Sequence, residues 1–356
     1  MPSFTLFFIL ALFISTATQL WLAQRHLRHI HLNRTAVPPD FADRVTPASH
    51  HKAADYSSEN TRLGMMHSLL DGVILLAFTL GGGIQWLADF WQNIIGTGLW
   101  RGVALIVSVF VISSLLELPL SLYRTFVIDA RFGFNKMTFS LFLADMLKQT
   151  LVGAALGIPL LLGVLWLMGQ MGEYWWFYVW LAWMVFNLTI LTLYPTVIAP
   201  LFNKFTPLED QTLATRIETL LQKCGFKSKG LFIMDGSKRT SHGNAYFSGM
   251  GASKRIVFFD TLLSRLDHDE IEAVLAHELG HFKRRHITKR IAGMFILSLA
   301  GLWLLGWLMP QAWFYQGLGV NSPGNDPAMA LLLFMLVSPV FTFLFHPLSS
   351  LYSRKH

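Results

Sequence analysis

Cysteine occurs once in this 356-residue chain, at Cys224. A disulfide framework is therefore excluded, and so is a metal site built from several thiolates. A lone cysteine reads as a small buried hydrophobe rather than a nucleophile. Charge is also scarce, with Asp, Glu, Lys and Arg making up 14% of the chain, against about a quarter in soluble domains. Acid is the scarcer sign: 21 Asp and Glu face 28 Lys and Arg, a net charge of +7. The basic residues form no patch interleaved with aromatics, which excludes nucleic acid as a partner. Internal repeats are missing too, and with them the matched broken helices of a transporter-like scaffold.

What the chain has in abundance is hydrocarbon. Hydrophobic residues reach 53%, with a mean hydropathy of +0.46. Seven apolar runs approach or exceed the length needed to cross a bilayer, about 20 residues as helix: 3–23, 69–90, 102–123, 150–171, 175–197, 291–313 and 328–345. The first is longer than a signal-peptide core and no small-residue cleavage pattern follows it, so it reads as a retained anchor. The Lys and Arg then orient the spans. Segments 24–68, 124–148, 200–290 and 346–356 hold six, four, fifteen and two of them; the alternate loops hold only Arg101. By the positive-inside rule the rich segments are cytosolic, the N-terminus lies outside, and anionic lipid headgroups are natural partners. Compact loops suggest a bacterial inner membrane rather than the endoplasmic reticulum.

Three parts follow: an N-terminal membrane domain of five spans (1–199), a water-exposed insertion (200–290), and two further spans (291–356). Residues 34–62 are polar and contain Pro38, Pro39 and Pro47, which predicts a mobile surface loop. Inside the insertion, 206–224 reads as an amphipathic helix starting near Pro207. Residues 230–234, 245–248 and 255–260 read as strands, the last two able to pair as a hairpin. Asp267 and Glu270 form a capping box ahead of Ile271, Val274, Leu275, Leu279 and Phe282 at helical spacing.

That helix carries His277-Glu278-Leu-Gly-His281. Residues four apart share a helix face, so both imidazoles can reach one ion, and zinc is the ion such a pair selects. Glu278 is then placed to take a proton from water and pass it to the leaving amine, the arrangement of a zinc peptidase. Gly280 would let another backbone approach closely. No proline or glycine interrupts 282–290, so the helix is expected to run on towards the sixth span, with the metal near the cytosolic face. A catalytic zinc needs a third protein ligand, and none is evident. Glu117 lies inside the third span and reads first as the buried partner of an arginine. His286 sits five residues past His281 and points away, and His346 reads as an interfacial residue.

The chain resembles the type I CAAX prenyl proteases, seven-span zinc endopeptidases that cleave after a prenylated cysteine. Besides the His277 segment, the likeness rests on Arg131-Phe-Gly-Phe-Asn135-Lys-Met-Thr138, Pro200-Leu-Phe-Asn203-Lys-Phe-Thr-Pro207-Leu, Ser241-His-Gly-Asn244-Ala-Tyr246-Phe-Ser-Gly249 and Lys254-Arg-Ile-Val-Phe-Phe-Asp260-Thr-Leu-Leu. It implies an all-α membrane protein whose seven transmembrane helices form a barrel around an internal chamber, plus a small α+β zinc-metalloprotease domain. It also implies that Asn244, Ala245, Tyr246 and Phe247 form an edge strand to which an extended, prenylated or membrane-associated peptide adds. On residues alone, that stretch reads as an ordinary hairpin strand. The resemblance places the third ligand of the single zinc beyond His356, so little hydrolysis is expected of the 356-residue polypeptide. The alternatives are quality-control cleavage of membrane proteins, and a catalytically dead or transport-like scaffold.

Overall fold

A computed structural model describes residues 3–226, 228–248, 255–283, 286–321 and 326–345, with positions 347, 350 and 351. Helices dominate. In chain order they are α1 (Ser3–Asn33), α2 (Pro47–Phe78), α3 (Gly83–Ile95), α4 (Leu99–Tyr123), α5 (Phe139–Gln170), α6 (Trp175–Leu193), α7 (Ala199–Phe202), α8 (Gln211–Lys223), α9 (Asp260–Leu263), α10 (His268–Lys283), α11 (His286–Leu308), α12 (Ala312–Gly317) and α13 (Pro327–Thr342). Short π-helical turns extend α4 over Arg124–Asp129 and α6 over Tyr194–Ile198. The second contains Pro195, whose missing N–H removes one rung of the α ladder.

Six helical stretches among the described residues are long and apolar enough to cross a membrane: Ser3–Asn33, Pro47–Phe78, Leu99–Asp129, Phe139–Gln170, Gly172–Phe202 and Thr288–Leu308. Helix α13 is apolar but has only 16 residues, a little short of a full crossing.

Two expectations in the N-terminal half are corrected. Residues 47–62 are helix, not mobile loop. Thr46 caps α2 by accepting from the Ser49 N–H at 3.2 Å, and Pro47 fits the first helical position, where no N–H is needed. The polar side chains that looked loop-like fold back along the helix: Ser58, Asn60 and Thr61 donate to the carbonyls of Ala54, Tyr56 and Ser57 at 2.7–3.0 Å. The second apolar run is not one helix either, because the chain turns between α2 and α3 at Thr79–Gly82, where Gly82 takes φ +77°.

The chain packs as two compact units. The first comprises Met1–Phe132, Leu165–Trp175 and Trp303–His356. Within it α4 and α13 meet closely: a Cβ on Gly102 would stand 2.6 Å from the Ala328 Cβ, the small-residue contact usual between membrane helices. Arg101 forms an ion pair with Asp326, whose carboxylate also caps α13.

The second unit, Gly133–Val164 with Trp176–Leu302, contains a four-stranded sheet. Its strands are β1 (Phe205–Pro207), β2 (Leu231–Met234), β3 (Ala245–Ser248) and β4 (Arg255–Phe259), in the order β1-β2-β4-β3. β4 runs parallel to β2 and antiparallel to β3, with Tyr246 opposite Val257. The expected hairpin is present. The expected helix over 206–224 starts later, because Phe205–Pro207 is drawn out into β1 beside β2, and Asp210 caps α8 through the Leu213 N–H at 2.9 Å. Alternate residues Ile256 and Phe258 of β4, both 0% exposed, meet Leu213, Ile217 and Leu221 of α8 and Ile271, Leu275 and Leu279 of α10. Burying such side chains is worth about 1.5–3 kcal/mol each before entropy, so this small core fixes α10 against the sheet.

Candidate active site

Helix α10 starts where the capping box puts it: the Glu270 N–H donates to Asp267 Oδ1 at 2.8 Å, and the Asp267 N–H donates to Glu270 Oε2 at 3.1 Å. Arg216 of α8 adds an ion pair to Asp269 and another to Glu272, the latter at 2.9 Å. With Ile271, Leu275 and Leu279 turned into the core, helical periodicity sends His277 outward. His277 is exposed and Glu278 half-buried beside it. Position 281 lies one turn further along the same helix, so its Cα shares a face with His277; its side chain, like those of 282 and 283, falls outside what the structure describes. Residues 284–285 do as well, so the passage from α10 into α11 is undescribed. So are His346 and residues 352–356.

The Gly280 expectation is corrected. Among the described residues nothing lies within 4 Å of the point where its Cβ would stand, so the glycine leaves open space beside the His277 turn instead of admitting a backbone. Glu117, in the other unit, forms no ion pair with an arginine among the described residues, contrary to its first reading. No group of three His, Cys, Asp or Glu side chains gathers among the described residues.

β3 closes one edge of the sheet and lies alongside α10. The Phe259 N–H donates to the Asn244 carbonyl at 2.9 Å. In an antiparallel ladder that bond, with Tyr246 opposite Val257, turns the N–H and C=O of Ala245 and Phe247 away from β4. Those groups face the open edge. Side chains of Ala245 and Phe247 pack into the core, where the Phe247 ring meets Phe226 edge-on at 5.1 Å. Tyr246 points to the opposite face, its hydroxyl 3.9 Å from Met234 Sδ. Burial pushes its phenol up to about 12, and the neighbouring Tyr194 hydroxyl adds to the shift.

A capped helix bearing His277 and Glu278 thus lies beside a strand edge that is unpaired among the described residues, and comparison with known proteins identifies the family. Residues 26–204 match the CAAX prenyl protease N-terminal, five membrane helices, and residues 207–356 match peptidase family M48. The chain belongs to the CAAX prenyl protease family. CAAX prenyl protease 1 homologs of Caenorhabditis elegans and Dictyostelium discoideum are each 32% identical to it, over 85% and 91% of this chain and 73% and 78% of theirs. The crystal structure of S. mikatae Ste24p matches with a TM-score of 0.87 at 29% identity, covering 98% of this chain and 83% of that one. This member of the CAAX prenyl protease family is thus a multi-pass membrane protein and a zinc-dependent endopeptidase.

The residues present suit the metal. Imidazole is a borderline base of the kind zinc takes, positions 277 and 281 lie one helical turn apart, and among the described residues nothing stands within 4 Å of where a Gly280 Cβ would lie in that turn. Sequence reasoning missed one constellation in the same unit. Arg239 is 19% exposed and Asp145 8%, and they form a two-pronged ion pair at 2.7 and 2.9 Å. Asp145 sits early in α5, inside a loop assigned from hydropathy alone, and nothing in a sequence links it to an arginine 94 positions away.

Proposed function

We propose that this chain hydrolyses a peptide bond near the C-terminus of prenylated or membrane-associated substrates, with His277 and His281 as two protein ligands of one zinc ion and Glu278 as the proton carrier. The observation that carries this reading is the His277–Glu278 turn on a core-anchored helix alongside a strand edge that is unpaired among the described residues. When bound, zinc supplies Lewis-acid polarisation of the scissile carbonyl and acidifies water towards neutrality. Glu278 accepts the proton of the attacking water and delivers it to the departing amine. The substrate lies extended along Asn244, Ala245, Tyr246 and Phe247 and adds a strand through the outward main-chain groups of Ala245 and Phe247. The names of the relatives, CAAX prenyl protease 1, support a prenylated C-terminal substrate.

The proposed architecture is a barrel of seven spans, α13 with its continuation being the seventh, around an internal chamber. Support comes from the likeness to Ste24p and from Asp71, an exposed acid within α2; in hydrocarbon such a group is costly unless it faces water. The functional division is 1–199, 200–290 and 291–356, with the 200–290 domain on the cytosolic side. Compact loops favour a bacterial inner membrane, while the relatives named above are eukaryotic.

Glu278→Gln tests the assignment. In the full-length form, peptide cleavage should fall by about 10²–10⁴-fold while elemental analysis of the purified variant still finds zinc. Unimpaired cleavage by the variant would remove Glu278 from its role.

A further inference from the structure

Three of the motifs quoted from the sequence, around 131–138, 200–208 and 254–263, converge on one segment, 239–243. Arg239 Nε and Nη2 donate to the two oxygens of Asp145 at 2.7 and 2.9 Å. Nη1 donates to Asn203 Oδ1 at 2.9 Å and Nη2 also to the Phe202 carbonyl at 2.7 Å. The Lys136 N–H donates to the Arg239 carbonyl at 3.1 Å, and Asn135 bridges Thr240 in antiparallel fashion. The Ser241 N–H then donates to the Phe134 carbonyl at 3.0 Å and its hydroxyl to the Gly133 carbonyl at 3.1 Å. Phe134 stacks on the His242 ring at 4.2 Å, and Thr261 Oγ1 donates to the His242 carbonyl at 2.8 Å. The segment so held, 239–243, leads directly into β3.

We infer that Arg239 is a positioning residue for hydrolysis: its fork, closed on Asp145, Asn203 and the Phe202 carbonyl, fixes the lead-in to β3 and so decides which peptide bond of the substrate faces α10. The inference rests on the reading of β3 as the substrate strand. β3 has four residues and, among the described residues, is paired on one side only, so its own ladder holds it weakly. A one-residue slip displaces a strand by about 3.3 Å, and a misplacement near 1 Å already costs on the order of 100-fold in rate. Lysine cannot replace the arginine, because a single ammonium does not engage a carboxylate with two parallel donors while also reaching an amide and a carbonyl.

The test uses the purified full-length form with a prenylated C-terminal peptide, comparing Arg239→Lys and Asn203→Ala with the parent. Asn203→Ala removes one acceptor and leaves the ion pair, so it reports on the clamp should Arg239→Lys fail to fold. In Arg239→Lys, kcat should fall on the order of 100-fold with KM within about threefold. Asn203→Ala should fall less. Mass spectrometry should find products cut at bonds adjacent to the normal one, with zinc content unchanged and the variants still folded at the assay temperature. Folded variants that cut the normal bond at the parental kcat overturn the inference. So does a kcat loss that merely tracks lost zinc or lost folded protein. Substrates carrying single N-methyl amides test the underlying reading separately. If β3 is not the substrate strand, methylation leaves KM unchanged whatever Arg239 does. If it is, methylation raises KM even where the clamp variants are silent.

Discussion

At the scale of single residues, the proposal of His277, Glu278 and His281 rests on spacing: the three positions fall within one turn of α10, where His277 is exposed and Glu278 half-buried. Gly280 was misread because a missing Cβ permits a close approach without demanding one; open space is the other use of glycine. Tyr246 gives a test at this scale. Its folded-state value of about 12 lies above the roughly 10 of a free phenol, so the fold favours the neutral form. Whatever stability this contributes is complete below about pH 10 and is lost as pH rises through 12. Tyrosinate absorbance should therefore show a late step that loses one phenol's amplitude in Tyr246→Phe, and the variant should resist alkaline unfolding better than the parent. An early Tyr246 titration, near pH 10, would mean that its burial is wrong.

Secondary-structure elements were legible in proportion to their length and punctuation. The capping box located α10, and glycine-rich breaks located β3 and β4. β1 was missed because three residues ending in a proline carry almost no alternation, and they are strand only because β2 lies beside them. The start of α2 was hidden by the polarity of Ser58, Asn60 and Thr61, which bond their own helix. These elements support two stability predictions. Asp267→Ala should cost about 1 kcal/mol by uncapping α10, and thermal melting should show it together with weaker zinc retention. Phe258→Ala should cost roughly 3–5 kcal/mol, because its ring is 0% exposed between α8 and α10. If zinc retention in Asp267→Ala were untouched, the start of α10 would not be coupled to the metal turn.

For the whole molecule, hydropathy marked the apolar helices and charge predicts their orientation, but no single-sequence signal could pair Asp145 with Arg239, because that contact exists only once α5 and the insertion are folded. Orientation is itself open to a direct test, and the lone cysteine makes it clean. Cys224 caps α8 and is half-buried, so Cys224→Ser removes every native thiol without touching the charges that set topology. On that background, Lys229→Cys places a thiol at an exposed position of the insertion, and Tyr174→Cys places one in the loop before α6, where the side chain is 66% exposed. The loop at 172–174 has no Lys or Arg, whereas 200–290 has fifteen, so a membrane-impermeant maleimide should label Tyr174→Cys from outside intact cells and Lys229→Cys only after permeabilisation. Long domains escape the charge rule more readily than short loops, which makes Tyr174→Cys the stricter arm. Labelling of Lys229→Cys in unbroken cells would place His277 and Glu278 on the outer side, away from any substrate lipidated in the cytosol.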